Sequence, residues 1–168
     1  MELETGMRQK KEKKFEKIYC EYKDAVFGIC VMYLRDYQLA EDAAQETFIK
    51  VLKKLSSLKD ETKVKAWITS ITINICHDKL RGKSRVEIPS DSLTKSAGVS
   101  NDTDIKLSIS DAIAKLSPEL REVVILFYYQ EFSQEEISKL LKIPPTTVAY
   151  RVRKAKEKLK EYLKEDLR

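Results

Sequence analysis

Phe132-Ser133-Gln134-Glu135-Glu136-Ile137-Ser138-Lys139-Leu140-Leu141-Lys142-Ile143-Pro144-Pro145-Thr146-Thr147-Val148 carries start and stop signals for two successive helices. Ser133 and Glu136 stand three apart, the spacing at which each side chain satisfies an orphan backbone amide of the other at a helix N-terminus. Phe132 before the cap and Ile137 one turn inside it occupy the positions of a hydrophobic staple. The helix they open bears Ile137, Leu140 and Leu141 and is expected to end near Lys142. Ile143-Pro144-Pro145 supplies the turn, since proline lacks an amide donor and cannot continue the preceding helix. A last helix then runs on Val148, Val152, Ala155, Leu159 and Leu163 at spacings of three and four. Short helix, tight turn, second helix: this is a helix-turn-helix pattern. Its turn is expected to need a left-handed residue after the first helix. Lys142 would supply it, at about 1 kcal/mol relative to glycine.

Charge separates the two helices. Pro118–Leu141 holds five acids and two bases, whereas Pro145–Arg168 holds eight bases and four acids. A basic second helix suits a groove lined by phosphate. With Val148, Val152, Ala155 and Leu159 turned inward, Thr147, Ala149, Tyr150, Arg153 and Lys154 project from other faces. Arg153 or Lys154 could reach guanine edges, and the methyls of Ala149 or Thr147 could touch thymine. Lys156-Glu157-Lys158 and Lys160-Glu161 interleave opposite charges and read as a solvated surface.

Upstream, Ser117-Pro118 starts a further helix, with Ser at the cap and Pro in the first turn. Leu120, Val123, Val124, Phe127 and Tyr128 form its stripe. Before it, Ile105, Ile109, Ala112, Ile113 and Leu116 form another. Gly82–Thr103 has two glycines, Pro89 and five serines with few apolar residues, and is expected to be a mobile linker. On its N-terminal side, Phe15, Ile18, Tyr19, Tyr22, Val26, Ile29, Cys30 and Tyr33 recur at helical spacing. Arg35-Asp36-Tyr37 breaks the run, and Ala40, Ala44, Phe48, Leu52 and Leu55 resume it. Thr62–Arg81 is ambiguous. Ile71-Thr72-Ile73-Asn74-Ile75 alternates like a β-branched strand. Val64, Trp67, Ile68, Ile71 and Ile75 form a helical stripe through nearly the whole segment, and that length favours helix.

Composition narrows the class. The chain has 168 residues, 32 bases against 27 acids and a formal charge of +5. Gly and Pro total eight, too few for a turn-rich all-β chain. No apolar run is long enough for a membrane span, and Met1–Lys14 lacks the apolar core of a secretory signal. A soluble, cytoplasmic protein is expected. The three cysteines form no C-x-x-C pair, and Cys20 and Cys30 would lie roughly 15 Å apart on one helix, so small buried hydrophobes is the expected reading. His77 is the only histidine, which leaves no Cys/His metal site. No cofactor is expected. Neither a phosphate loop nor a nucleophile elbow nor a His/carboxylate pair appears, so no enzyme and no small-molecule substrate are expected.

Two stretches together resemble a known family. Asp42-Ala43-Ala44-Gln45-Glu46-Thr47-Phe48-Ile49-Lys50 resembles the D-x-x-Q-E-x-F signature of region two in bacterial sigma factors. Phe132–Ile137 with Ile143-Pro144 and Thr147-Val148 resembles their region-four helix-turn-helix. Lys65-Ala66-Trp67-Ile68 with Asn74, Asp78 and Arg81 is similar to the promoter-melting helix. Order and spacing are those of the extracytoplasmic function (ECF) subfamily of the sigma-70 family, with regions two and four only.

The resemblance implies an all-α chain of two small helical domains: region two at residues 11–85, a flexible linker at 86–103 and region four at 104–168. It implies a promoter-specificity subunit that binds core RNA polymerase and directs initiation at a restricted set of promoters. Asp42, Gln45, Glu46 and Lys50 would meet the β′ clamp helices, and region four the β flap. The loop Ser56–Lys65 and the helix after it would hold the opened minus-ten strand through Lys59, Lys63, Lys65, Asn74, Lys79, Arg81 and Arg85. Trp67 lies on the apolar stripe and reads as core. Thr146, Thr147, Ala149, Tyr150, Arg153 and Lys154 would read the minus-thirty-five duplex. Members often carry Gly where Lys142 and Thr146 stand and a base where Ala149 stands. An anti-sigma factor, often membrane-anchored, is the further partner implied. The competing class is a dimeric helix-turn-helix regulator acting alone on a palindrome; the Asp42–Lys50 motif argues against it.

Overall fold

The structure is a computed structural model that describes residues 2–83 and 109–166. All its regular elements are helical, and the chain divides into two compact units, Met1–Asp91 and Ser92–Arg168. The expected linker at 86–103 lies outside the described residues.

The first unit packs three helices, α1 (Glu2–Leu34), α2 (Tyr37–Lys54) and α3 (Val64–Lys83). The predicted break is a helix stop followed by a helix start. Arg35 turns left-handed (φ 52°) and donates its N–H to Val31 O at 2.9 Å. Asp36 then caps α2, its Oδ1 accepting the Leu39 N–H at 3.0 Å. Single 3₁₀ turns at Leu55–Ser57 and Glu61–Lys63 bridge α2 to α3, with Asp60 capping the second. The ambiguous segment is helix throughout. Thr72 sits fully buried there because its hydroxyl donates to Ile68 O at 2.8 Å, one turn back. Thr47 does the same to Ala43 O.

The α2 stripe is displaced from the expected one. Ala40, Ala43, Thr47, Phe48 and Val51 are buried, Ala44 is half-buried and Leu52 is exposed. Small side chains at 40 and 43 let the core take this line, and the self-satisfied hydroxyl lets Thr47 join it. The cysteines also divide. Cys30 on α1 and Cys76 on α3 are fully buried, with sulfurs 3.9 Å apart, whereas Cys20 is exposed and departs from the expectation of burial.

In the second unit residues 109–115 form α4, followed by α5 (Pro118–Val124), α6 (Gln134–Leu141) and α7 (Pro145–Asp166). Leu116, Leu120, Val124 and Ala155 centre one core cluster, with Ile113, Leu159 and Tyr162 against it. At Ile125–Tyr129 the α5 helix widens to a π turn, and Gln130 N–H reaches back five residues to Ile125 O at 3.0 Å. The extra residue shifts the phase of the stripe. Ile125 and Leu126 become buried, Phe127 is half-buried, and Tyr128 is 50% exposed where the periodic stripe had put it inward.

Candidate functional site

The helix-turn-helix is built as its sequence signals require. The Ser133 hydroxyl accepts the Glu136 N–H at 3.2 Å, and the Glu136 carboxylate accepts the Ser133 N–H at 2.8 Å. Lys142 adopts φ 55°, ψ 42°, the expected left-handed stop. The Ile143 N–H closes the turn onto Ser138 O at 3.2 Å, and the Ser138 hydroxyl donates to Ile143 O at 2.6 Å. Pro145, read as part of the turn, is the first residue of α7. Val148, Val152 and Ala155 are buried, so Thr146, Tyr150, Arg153 and Lys154 face outward, with Thr147 and Ala149 half-buried on the flanks.

Tyr150 lies near the centre of that outward face and is 48% exposed. Lys154 Nζ donates to its hydroxyl at 3.0 Å and lies 5.5 Å from the ring centroid. The Arg153 guanidinium carbon lies 5.9 Å from the same centroid. The hydrogen bond to Tyr150 and the electrostatic pull of its oxygen, with help from Glu157, hold the Lys154 ammonium pKa above its ordinary value. Tyr150 thus gathers two cations, Lys154 at its hydroxyl and Arg153 by its ring, on the outward face. Arg151 is different in kind: it pairs with Glu119 of α5 at 3.6 Å and ties α7 to the core.

On α2, Asp42 and Gln45 are exposed, and Glu46 and Lys50 are half-buried. Glu46 joins Lys50 on its own helix and Lys79 on α3, each at 3.4 Å. Lys79 therefore faces α2, away from the other strand-binding candidates. Beside Gln45 the helix exposes Ile49 (53%) and Leu52 (39%). Both line an open groove of about 630 Å³ between α1 and α2, together with Phe15, Tyr19, Phe27 and Tyr37. The Tyr19 ring meets Phe48 edge-on at 4.8 Å on its floor. Sequence reading missed Ile49 and Leu52 as surface residues. Their only signal is an apolar count on α2 larger than one core face needs.

On α3, Asn74, Asp78 and Arg81 share an exposed face, and Arg81 pairs with Asp78. Trp67, expected in the core, is only half-buried. Its spacing of seven residues from Asn74 puts it on that same face. Lys59 and Lys63 are exposed in the bridging loop, and Lys65 is half-buried. Arg85 lies outside the described residues. Among the described residues no cluster of three or more His, Cys, Asp or Glu could hold a metal, and no helix is long and apolar enough to cross a membrane.

Comparison with known proteins gives these surfaces a context. Residues 18–86 match the family model for sigma-70 region 2, and residues 106–159 the model for sigma-70 region 4. The chain is 30% identical to the RNA polymerase sigma factor CarQ of Myxococcus xanthus, with 90% of each chain covered. It is 28% identical to the ECF RNA polymerase sigma factor SigW of Bacillus subtilis, over 98% of this chain and all of that one. Among solved structures it resembles the sigma factor RpoE of Bartonella quintana, crystallised with the anti-sigma factor NepR. The TM-score is 0.76 at 26% identity, covering 90% of this chain and 98% of that one. CnrH, in complex with the cytosolic domain of CnrY, shares the fold at TM-score 0.71 and 20% identity, over 92% and 90% of the two chains. Two family regions in order and a relative alike along nearly its whole length lead to one conclusion: this chain belongs to the ECF group of the sigma-70 family, regulatory promoter-specificity subunits of RNA polymerase.

Proposed function

We propose that the two units divide the work of initiation. The first docks on core polymerase through the outward side of α2, with Asp42, Gln45, Glu46 and Lys50 as the polar contacts and Ile49 and Leu52 as the apolar ones. The same unit holds the opened minus-ten strand with Lys59 and Lys63 of the loop, Lys65 in the first turn of α3 and the Asn74–Arg81 face of that helix, Trp67 being the ring available there. Arg85 is a further basic residue assigned to that strand. The second unit reads the minus-thirty-five duplex with Thr146, Thr147, Ala149, Tyr150, Arg153 and Lys154, and meets the β flap. Catalysis belongs to the core enzyme, and the chain works in the cytoplasm, where polymerase and promoter are.

The observation that carries this reading is the α6–α7 turn. A left-handed Lys142 between a capping box and a basic helix presents Tyr150, Arg153 and Lys154 on one outward face. Trp67 is the one Phe, Trp or Tyr between residues 56 and 126, and so short a supply of rings for capturing flipped bases limits melting to well-matched promoters. The test is transcription in vitro with purified core polymerase. Initiation at selected promoters that requires this chain bears the reading out. Tight binding of the free chain to a palindrome, with no effect on initiation, replaces it by a dimeric regulator.

An anti-sigma partner is the further expectation, as RpoE of Bartonella quintana is bound by one. Co-purification from uninduced cells tests it. Pelleting of the chain with membranes tests whether that partner is membrane-anchored.

A further inference from the structure

The N-terminal part of α1 is not explained by the core it belongs to. Residues 8–17 carry six bases (Arg8, Lys10, Lys11, Lys13, Lys14 and Lys17) against Glu12 and Glu16. Lys10, Lys14 and Lys17 recur at i, i+4 and i+7, so they form one stripe along the helix. Lys10 and Lys17 are exposed, and Lys14 is half-buried. The stripe leads to the loop between α2 and α3: Lys14 Nζ meets Glu61 Oε1 at 2.9 Å, and the turn at Leu55–Ser57 packs on α1. The hydrogen bond and charge of Lys14, with weaker pulls from Lys17 and Lys10, hold the Glu61 carboxyl below its ordinary range. Lys14 thus meets, and Lys10 and Lys17 flank on the same face of α1, a loop that carries Lys59 and Lys63 of its own. Against these five stand the loop acids Asp60 and Glu61, with Glu12 and Glu16 of α1 between the stripe lysines. Of the loop acids, Asp60 caps Thr62 and also pairs with Lys63 at 3.9 Å.

From this juxtaposition we propose that the Lys10/Lys14/Lys17 stripe binds the phosphate backbone of promoter DNA next to the strand held by the Ser56–Lys65 loop, with Glu61 as an internal competitor for the same lysines. The inference rests on the strand-holding role of that loop. Charge complementarity selects the partner. A run of lysines is what a polyanion recruits, whereas protein interfaces deplete lysine at their centres and favour aromatic, Met and Arg side chains. Phosphate contact also needs no base-specific geometry, which suits long flexible side chains on an exposed helix.

The test uses holoenzyme assembled from core polymerase and the full chain, bound to a promoter fragment across a salt series. Lys10→Gln/Lys14→Gln/Lys17→Gln should flatten the dependence of log K on log salt by about 2–3, at roughly 0.7–0.9 per phosphate no longer neutralised. Binding at the lowest salt should weaken at least about tenfold, with affinity for core polymerase unchanged. Glu61→Gln should act oppositely and tighten promoter binding, by about two- to fivefold for one competing charge removed. An unchanged slope in the triple variant overturns the proposal, and so does a loss of core affinity with the slope intact. Lys59→Gln/Lys63→Gln keeps the two readings apart. An unchanged slope in that pair refutes the loop as strand holder, whereas the triple variant alone judges the stripe.

Discussion

Arg35, Glu131 and Lys142 are the non-glycine residues of positive φ among those described, and each follows the end of a helix. A side chain with a Cβ is strained there by about 1 kcal/mol relative to glycine. Lys142→Gly should therefore stabilise the second unit by about that amount, raising its thermal midpoint by roughly 4–8 °C for a domain of this size. A fall in the midpoint would mean that the lysine stem contributes more by packing than its backbone costs. Ser133→Ala should move it the other way by about 1 kcal/mol, since it removes the acceptor for the Glu136 N–H and half of a reciprocal cap. Lys142 was legible in the sequence because a capped helix and two prolines bracket it. Arg35 was legible only as a break. Glu131 gave no signal, since its left-handed turn follows a π turn that no periodic pattern announces.

At the scale of elements, the existence of the helices was legible and their phase was not. The α2 core runs through Ala40, Ala43, Thr47 and Val51, a line that hydropathy alone discounts because threonine reads as polar until its hydroxyl is seen bonded to Ala43 O. The π turn in α5 rotates Tyr128 outward for a comparable reason: the stripe was extended at a period the backbone does not keep. These phases decide which surfaces remain for partners. Gln45→Ala/Glu46→Ala should weaken core polymerase binding and leave duplex recognition by the second unit intact. Arg153→Ala/Lys154→Ala should do the reverse, at roughly 1–3 kcal/mol for each base edge the variant can no longer reach. Both affinities are to be measured at one salt concentration, because phosphate contacts make the DNA constant salt-dependent. Leu52→Ser separates surface from core most sharply. An exposed leucine should cost the fold no more than about 0.5 kcal/mol while reducing polymerase affinity.

For the whole molecule, each unit buries its own core: Val26, Ile29, Val51, Ile68 and Ile75 in the first, and Leu116, Val123, Leu126, Ile137 and Val148 in the second. Residues 1–91 and 92–168 expressed separately should each melt in one cooperative transition by circular dichroism. A fragment that melts without cooperativity would show that its core is completed by the other. The division itself was legible as a long polar stretch between periodic ones. Contacts between helices were not. Glu46 with Lys79, Lys14 with Glu61 and Cys30 with Cys76 join residues far apart in the chain that share no motif, and only packing brings them together.

The unequal burial of the three thiols makes the native chain a ready-made conjugation scaffold. A maleimide dye should attach to Cys20 at one equivalent, with no cysteine engineered out, and so mark α1 for distance measurements during open-complex formation. The two remaining thiols become a clock. They lie in the seam between α1 and α3, where the Cys30 sulfur and burial push the Cys76 thiol far up and keep it unreactive. Second and third alkylations, followed by mass spectrometry, should therefore appear only as fast as that seam breathes.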